Sequence, residues 1–444
     1  MARPCYHFGD GVFFYVLLIY MKFLARIKNI LKKIGPGFVT GAADDDPSGI
    51  ATYSIAGAKF GYGMTWLALF LLPAMISIQE MCGRLGMVTG RGLASVIKKF
   101  SSKKVMWFAV TLLAFANVVN IGADLGIMAS SLQMVFGLNF FFWLFLVAMT
   151  IVILEIWVSY RKYSEVLKWL GMSLAVYVVT AFLIKPDWLE VLKATLIPKI
   201  NWSTDYIMTM VGFLGTTISP YLFFWQASQE VEEEILDRRS SIVDFNQKPE
   251  VTGGMIKKMR MDTKVGMLFS NLMTFFILVT TAGTLNAHGI FEIENAQQAA
   301  QALRPLAGEF AYLLFALGMI GIGLQSVPVL AGSLAYAVSE ALGIKEGLNK
   351  KFGKAQGFYL VVALATMVGV LMNLWGINTM KALYYAAVVN GVVAVPLIFI
   401  IIRLASREDV VGKFKTEKKY LVIAWMTFAF MAMSVLLMIF NWGR

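Results

Sequence analysis

The chain has 444 residues, of which 58% are hydrophobic and 15% charged. Soluble domains average about 45–50% apolar and about 25% charged residues. A mean hydropathy of +0.69 therefore excludes a disordered or nucleic-acid-coating chain and implies an integral membrane protein. The net charge of +12 is a question of where the charges sit. Two cysteines, Cys5 and Cys82, and two histidines, His7 and His288, exclude a disulfide framework, a histidine metal cage and a histidine proton wire.

A spanning helix needs about 20 mostly apolar residues. In chain order that rule gives spans at 36–60, 64–87, 105–137, 139–160, 164–185, 205–232, 263–286, 308–341, 357–375, 379–403 and 418–441. The run 12–21 is too short to span and lacks a small-residue cleavage site. It reads either as an over-long start, with the chain proper opening at Met21, or as an interfacial anchor. Eleven alternating spans place 32 of the 39 Lys and Arg on one side. Basic loops stay in the cytoplasm, so the N-terminus is expected inside and the C-terminus outside. Segment 1–34 is then a cytoplasmic lead and 35–441 a single transmembrane domain. The loop 233–262, with Gly253-Gly254, reads as a flexible connector, and 187–200 as an amphipathic segment on the outer surface.

Two spans are not expected to be intact helices. Span 1 reads GPGFVTGAADDDPSGIATYSIAGAKFGYG. Asp44, Asp45 and Asp46 fall at mid-span, where a charge costs several kcal/mol unless it faces a cavity or a partner. Pro47 then removes a backbone donor, and Gly49 lets the chain leave helical geometry. Span 6 repeats the device, with Thr216, Thr217 and Ser219 preceding Pro220. Interrupted spans at matching positions of two halves point to a transporter's binding site, and five spans per half force the halves to be inverted. Carboxylate, hydroxyl and carbonyl oxygens without sulfur or imidazole suit Mg²⁺, Ca²⁺ or Mn²⁺; a cationic amine fits a carboxylate equally well. Glu80 and Glu155 read as interface-paired or solvated acids, and Gln325 and Asn390 as helix–helix hydrogen-bonding residues. Glu230, Glu232, Glu233 and Glu234 read as a solvated helix end.

The run IGPGF…DPSGIAT…AGAKFGYG resembles the first span of the natural-resistance-associated macrophage protein (Nramp) family of divalent metal transporters. LGMVTGRGLASV resembles the end of its span 2, GADLG its span 3, and AQALRPLAG with GLQSVPVLAGSLA its span 8 region. The resemblance implies an all-α, leucine-transporter-like fold. In it repeat one covers about 36–185 and repeat two about 205–403, and helix 418–441 is added. It implies that Asp46 is the metal-binding aspartate, that Ala43 and Thr216 offer backbone carbonyls, and that Asp124 is the span 3 acid linked to proton movement. Asp44 and Asp45 cannot both face the way Asp46 does. One is expected in the cavity, with Asp45 an added ligand; the other is expected to cap the broken helix or reach the vestibule. Thr217 and Asp44 are expected along the ion path.

The departures carry as much meaning. The family's span 1 asparagine is Gly49 here, and its span 6 Met-Pro-His is Ser219-Pro220-Tyr221. Its second span 3 acid is Gly126, and the span 9 stretch 357–374 has no basic residue. Without the thioether the pocket loses its soft ligand; with glycine it is expected to widen; without the basic partner the proton route is expected to be dismantled. The set resembles the Nramp-related magnesium transporter branch. The expectation is a plasma-membrane carrier of Mg²⁺ and Mn²⁺ that works by alternating access without proton coupling. Gly49, Ser219 and Tyr221 would line its site, and it would need no cofactor, nucleic acid or obligate protein partner. The alternatives are a proton-coupled Mn²⁺/Fe²⁺ importer, a sodium-coupled carrier of an organic amine, or a receptor. No nucleophile–base pair or phosphate loop supports an enzyme.

Overall fold

The computed structural model describes residues 36–157, 174–237, 251–348, 350 and 352–441. The lead segment with its two candidate starts and the turn between spans 4 and 5 lie outside these residues. Among the described residues the structure is helical, without strands. Its principal helices are α1 (Pro36–Asp44), α2 (Pro47–Phe60), α3 (Thr65–Thr89), α4 (Leu93–Phe100), α5 (Lys103–Phe136), α6 (Phe140–Trp157), α7 (Ala175–Leu183) and α8 (Trp188–Leu196). There follow α9 (Thr204–Thr217), α10 (Pro220–Asp237), α11 (Gly253–Thr284), α12 (Ala311–Leu342), α13 (Gln356–Met372), α14 (Thr379–Ala405) and α15 (Lys418–Asn441).

Nine helical stretches among the described residues are long and apolar enough to cross a bilayer. They are fewer than the eleven expected spans for two reasons. The second half of span 1 runs on into span 2 as one helical stretch, Pro47–Thr89, while α1 is too short to count. Span 5 is described only over Ala175–Leu183.

The connector expected over 233–262 is corrected at its two edges, which are helical to Asp237 and from Gly253, while 238–250 lies outside the described residues. Helix α11 already begins at Gly253, because Thr252 caps it by accepting a hydrogen bond from the Met255 amide. A side-chain cap of this kind is worth about 1 kcal/mol and offsets the glycine pair. The segment 187–200 contains α8, capped by Asp187, with Trp188, Leu189, Leu192 and Leu196 exposed along it.

The core is built on α5, which packs against α12, α13 and α14, while α11 packs along α1 and α2 and α9 along α14. The broken helices are thus held from behind by continuous ones. Glu230 is another correction: it is 4% exposed and accepts a hydrogen bond from Gln226, so it is not at a solvated end. Glu80 is paired at an interface, as one reading had it: Arg84 and Arg260 both donate to it.

Candidate metal site

The two breaks share one construction. Asp45-Asp46 before Pro47 and Ile218-Ser219 before Pro220 are the non-helical steps. Proline is favoured at the first position of a helix and pushes the preceding residue into extended geometry. Asp46 obeys, at φ −70° and ψ 171°. Asp46 and Ser219 therefore occupy equivalent positions, one opening α2 and the other α10.

Asp46 is wholly buried. Its Oδ1 accepts from the Gly49 amide at 2.8 Å and from the Ser48 hydroxyl at 2.6 Å. Asp46 is thus itself the cap of α2, which overturns the alternative in which Asp44 or Asp45 does the capping. Both of those turn to α11: Ser270 donates to Asp44 at 2.7 Å and to Asp45 at 3.2 Å, and Thr274 donates to Asp45 at 3.3 Å. Asp44 Oδ1 and Asp45 Oδ2 are buried and make no hydrogen bond. Oxygens of this kind are costly to bury without a proton or a cation.

On the span 6 side the hydroxyls sort clearly. Ser219 donates to the Thr216 carbonyl at 2.7 Å and the Gly215 carbonyl at 3.0 Å. Tyr221 donates to the Ala43 carbonyl at 2.7 Å, tying α10 to the end of α1. The residues standing where the family has methionine and histidine thus bond the two carbonyls that the resemblance implicates. Each of those carbonyls keeps a second lone pair. Thr217 donates to the Phe213 carbonyl at 2.7 Å and meets the Tyr53 hydroxyl at 3.1 Å, so it braces α9. Thr216 Oγ1 is buried beside the Asp46 carboxylate.

Gly49 corrects another expectation. A Cβ built there would lie 2.9 Å from Thr216 Oγ1 and 3.5 Å from Asp46 Oδ1. The space is filled by the threonine hydroxyl and is not wide.

Asp124 lies on α5, buried, and accepts from Ser326 of α12 at 2.7 Å. It is close enough to Asp46 for their charges to interact. No basic residue pairs with it among the described residues. Gly126, where the family has an acid, faces Asn373: a Cβ there would lie 2.5 Å from Asn373 Oδ1. Asn373 in turn donates to the Gly122 carbonyl at 2.7 Å and the Gly369 carbonyl at 3.0 Å. Gln325 and Asn390 do not hydrogen-bond across helices as expected; their amides are buried and make no hydrogen bond.

One contact was missed in the sequence. Asn120, also wholly buried on α5, approaches Asp46 with Nδ2 3.4 Å from Oδ2. The readable signal was its position one helical turn before Asp124, which puts both on one face of the helix.

These residues form an oxygen-only, buried, acidic site at the meeting of two helix breaks. Two broken helices that meet in this way are the mark of a membrane carrier. The chain belongs to the Nramp family: the family described as "Natural resistance-associated macrophage protein-like" matches residues 37–441. The chain is similar to the "Divalent metal cation transporter MntH" of Bacillus subtilis (strain 168), 25% identical over 413 residues covering 90% of this chain and 89% of the relative. The protein of the same name from Clostridium acetobutylicum is 23% identical over 409 residues, 88% of this chain and 87% of that one. Among solved structures, the manganese transporter of Eremococcus coleocola in complex with an aromatic bis-isothiourea substituted compound superposes with a TM-score of 0.70. It is 17% identical, over 92% of this chain and 86% of that one. Mhp1, a nucleobase-cation-symport-1 family transporter in a closed conformation, gives 0.56 at 13% identity over 92% and 91%. These likenesses establish the all-α, leucine-transporter-like fold.

Proposed function

We propose that this chain is a multi-pass plasma-membrane carrier that moves Mg²⁺ and Mn²⁺ by alternating access and without proton coupling. Its N-terminus would lie in the cytoplasm and its C-terminus outside. Divalent metal transport is the reading that family membership and the two MntH relatives support. The finer reading rests on one observation: around Asp46 the donors are oxygens alone. Mg²⁺ is bound by one or two carboxylates and keeps several waters, and a thioether, which favours softer ions, is missing. Asp46, with the Ala43 and Thr216 carbonyls, the Thr216 and Ser219 hydroxyls and Asp45, would hold the ion or its water. Gly49 would leave the Thr216 hydroxyl room, and Tyr221 would position the Ala43 carbonyl. Asp44 and Asp124 would draw the cation along its path.

Absence of coupling is supported by the surroundings of Asp124. It meets a serine in place of a base, and Asn373 occupies the neighbourhood in which a second acid would sit. Opening toward either side would bend the chain at Asp45-Asp46 and Ile218-Ser219, where the helices are already interrupted.

The test is uptake by the purified chain in liposomes, with Mg²⁺ and Mn²⁺ supplied in turn and internal pH recorded. Entry of Mg²⁺ without acidification is expected. Mn²⁺ entry with acidification and no Mg²⁺ flux would instead establish the proton-coupled importer. Asp46→Asn separates the aspartate's two roles. Asparagine caps helices about as well as aspartate, so the variant is expected to fold normally and lose transport.

A further inference from the structure

The span 3 helix α5 carries two buried asparagines whose surroundings differ in kind. Asn117 is structural: its Nδ2 donates to the Leu330 carbonyl and to the Ser333 hydroxyl, both at 2.8 Å, and so ties α5 to α12, while its Oδ1, like that of Asn120, makes no hydrogen bond. Asn120 ties nothing. Its Nδ2 makes one long contact, 3.4 Å to Asp46, and its Oδ1 is buried and makes no hydrogen bond. A buried amide without its partners costs about 1–3 kcal/mol, and nothing in the packing of α5 against α12 uses it.

Neighbouring oxygens are buried as well. Asp124 Oδ1, one turn along α5, is buried and makes no hydrogen bond, and Thr216 Oγ1 is buried beside Gly49 and the Asp46 carboxylate. Two elements, α5 and α9, thus bring three buried oxygens toward Asp46. Two of them belong to neutral groups.

We infer that Asn120 is a ligand-side residue of the cation site. In that role its amide oxygen would bind the divalent cation or one of its waters, supplying from span 3 the hard neutral donor that span 1 lacks at Gly49. The inference rests on the transporter reading of Asp46. The chemistry is that of an ambidextrous group: an amide offers a donor on one side and an acceptor on the other. Facing a bare carboxylate, it turns its NH₂ to Asp46. With a divalent cation on Asp46, a half-turn about its terminal torsion brings the oxygen to the ion. The exchange needs no backbone movement. A neutral oxygen also adds a ligand without adding to the negative charge of the aspartates already present.

The experiment is calorimetric titration of Mg²⁺ and Mn²⁺ into the purified full chain in detergent. The proteins compared are the parent, Asn120→Leu, Asn120→Ser and Asp46→Ala, each with its thermal midpoint. Asn120→Leu is expected to weaken Mg²⁺ about tenfold, equivalent to about 1.4 kcal/mol, and Mn²⁺ less. Asn120→Ser, which keeps an oxygen, is expected to fall between, and it carries the test if the leucine variant does not fold. A purely structural asparagine would lower the thermal midpoint and leave both constants and their ratio unchanged; that result overturns the inference. Parent-like binding by Asn120→Leu or Asn120→Ser, with binding abolished in Asp46→Ala, refutes the inference and leaves the transporter reading standing. Parent-like binding by Asp46→Ala defeats the reading of the site itself, and the inference with it.

Discussion

At the scale of single residues, most of the site follows from chemistry written into span 1. Three aspartates followed by Pro-Ser-Gly have one economical arrangement inside a membrane. The carboxylate before the proline caps the second half-helix, and the other two take hydroxyl donors from a neighbouring helix. Sequence identifies Asp46 because the proline fixes its place. It does not identify Ser270 and Thr274, which lie more than two hundred residues away and look like any other hydroxyls in an apolar span. Gly49 illustrates the opposite failure. Loss of a side chain reads as added space, yet Thr216 Oγ1 takes that space up. Gly49→Asn is therefore expected to overpack the site, at a cost of about 1–3 kcal/mol, and to lower Mg²⁺ uptake. Adding Thr216→Ala should recover part of the loss by removing the obstructing hydroxyl. Uptake rates and thermal midpoints of the single and double variants check this; a freely transporting Gly49→Asn would mean that the glycine is incidental.

At the scale of elements, the breaks and the long spans were legible, and the joints between them were not. Hydropathy over about 20 residues locates a span, but the start of α11 was obscured because Gly253-Gly254 argues for a loop and the Thr252 cap argues against one. The buried ion pairs were beyond sequence for a related reason. Arg84, 2% exposed, bonds Glu80 one turn earlier in α3 and also donates to the Phe414 carbonyl at 2.8 Å. Removing one partner of a buried pair costs about 3–5 kcal/mol, because the other charge is left behind. Arg84→Met should thus lower the thermal midpoint sharply in detergent, and Glu80→Leu in the same chain should recover much of the loss.

The loop after α12 gives a pH-dependent counterpart. Burial, reinforced by the neighbouring charge of Glu340, pushes the Glu346 carboxyl up from 4.5 to about 9. A raised carboxyl pKa favours the protonated folded form. The stability it contributes is fully present below pH 4.5 and is lost as pH rises toward about 9. Thermal midpoints between pH 6 and 9.5 should fall less steeply in Glu346→Gln than in the parent; equal slopes would place the pH sensitivity elsewhere.

At the scale of the whole molecule, the site is closed in this conformation, and each end of the helix assembly is tied. Lys59 of α2 reaches Asp205 of α9 at 2.6 Å, in an exposed pair. Pairs of this kind are worth about 0–1 kcal/mol and are screened by salt. The other end is held more firmly. Arg260 of α11 bridges Glu80 of α3 at 3.2 Å and Glu417, just before α15, at 2.5 Å. The Gly37 amide at the start of α1 donates to Asp262 at 2.7 Å. With the proposed orientation, the stronger ties face the cytoplasm. The inward-open state is then the costlier one to reach, and every 1.4 kcal/mol taken from these ties raises its population about tenfold relative to the closed state. Cys82, wholly buried on α3 between Glu80 and Arg84, is placed to report this opening. In a Cys5→Ser background, Arg260→Ala is expected to speed maleimide labelling of Cys82, whereas Lys59→Ala is expected not to. The thermal midpoint of each variant distinguishes gating from general loosening. Equal labelling rates in the two variants would show that the Arg260 bridges hold the fold together without governing which side the site faces.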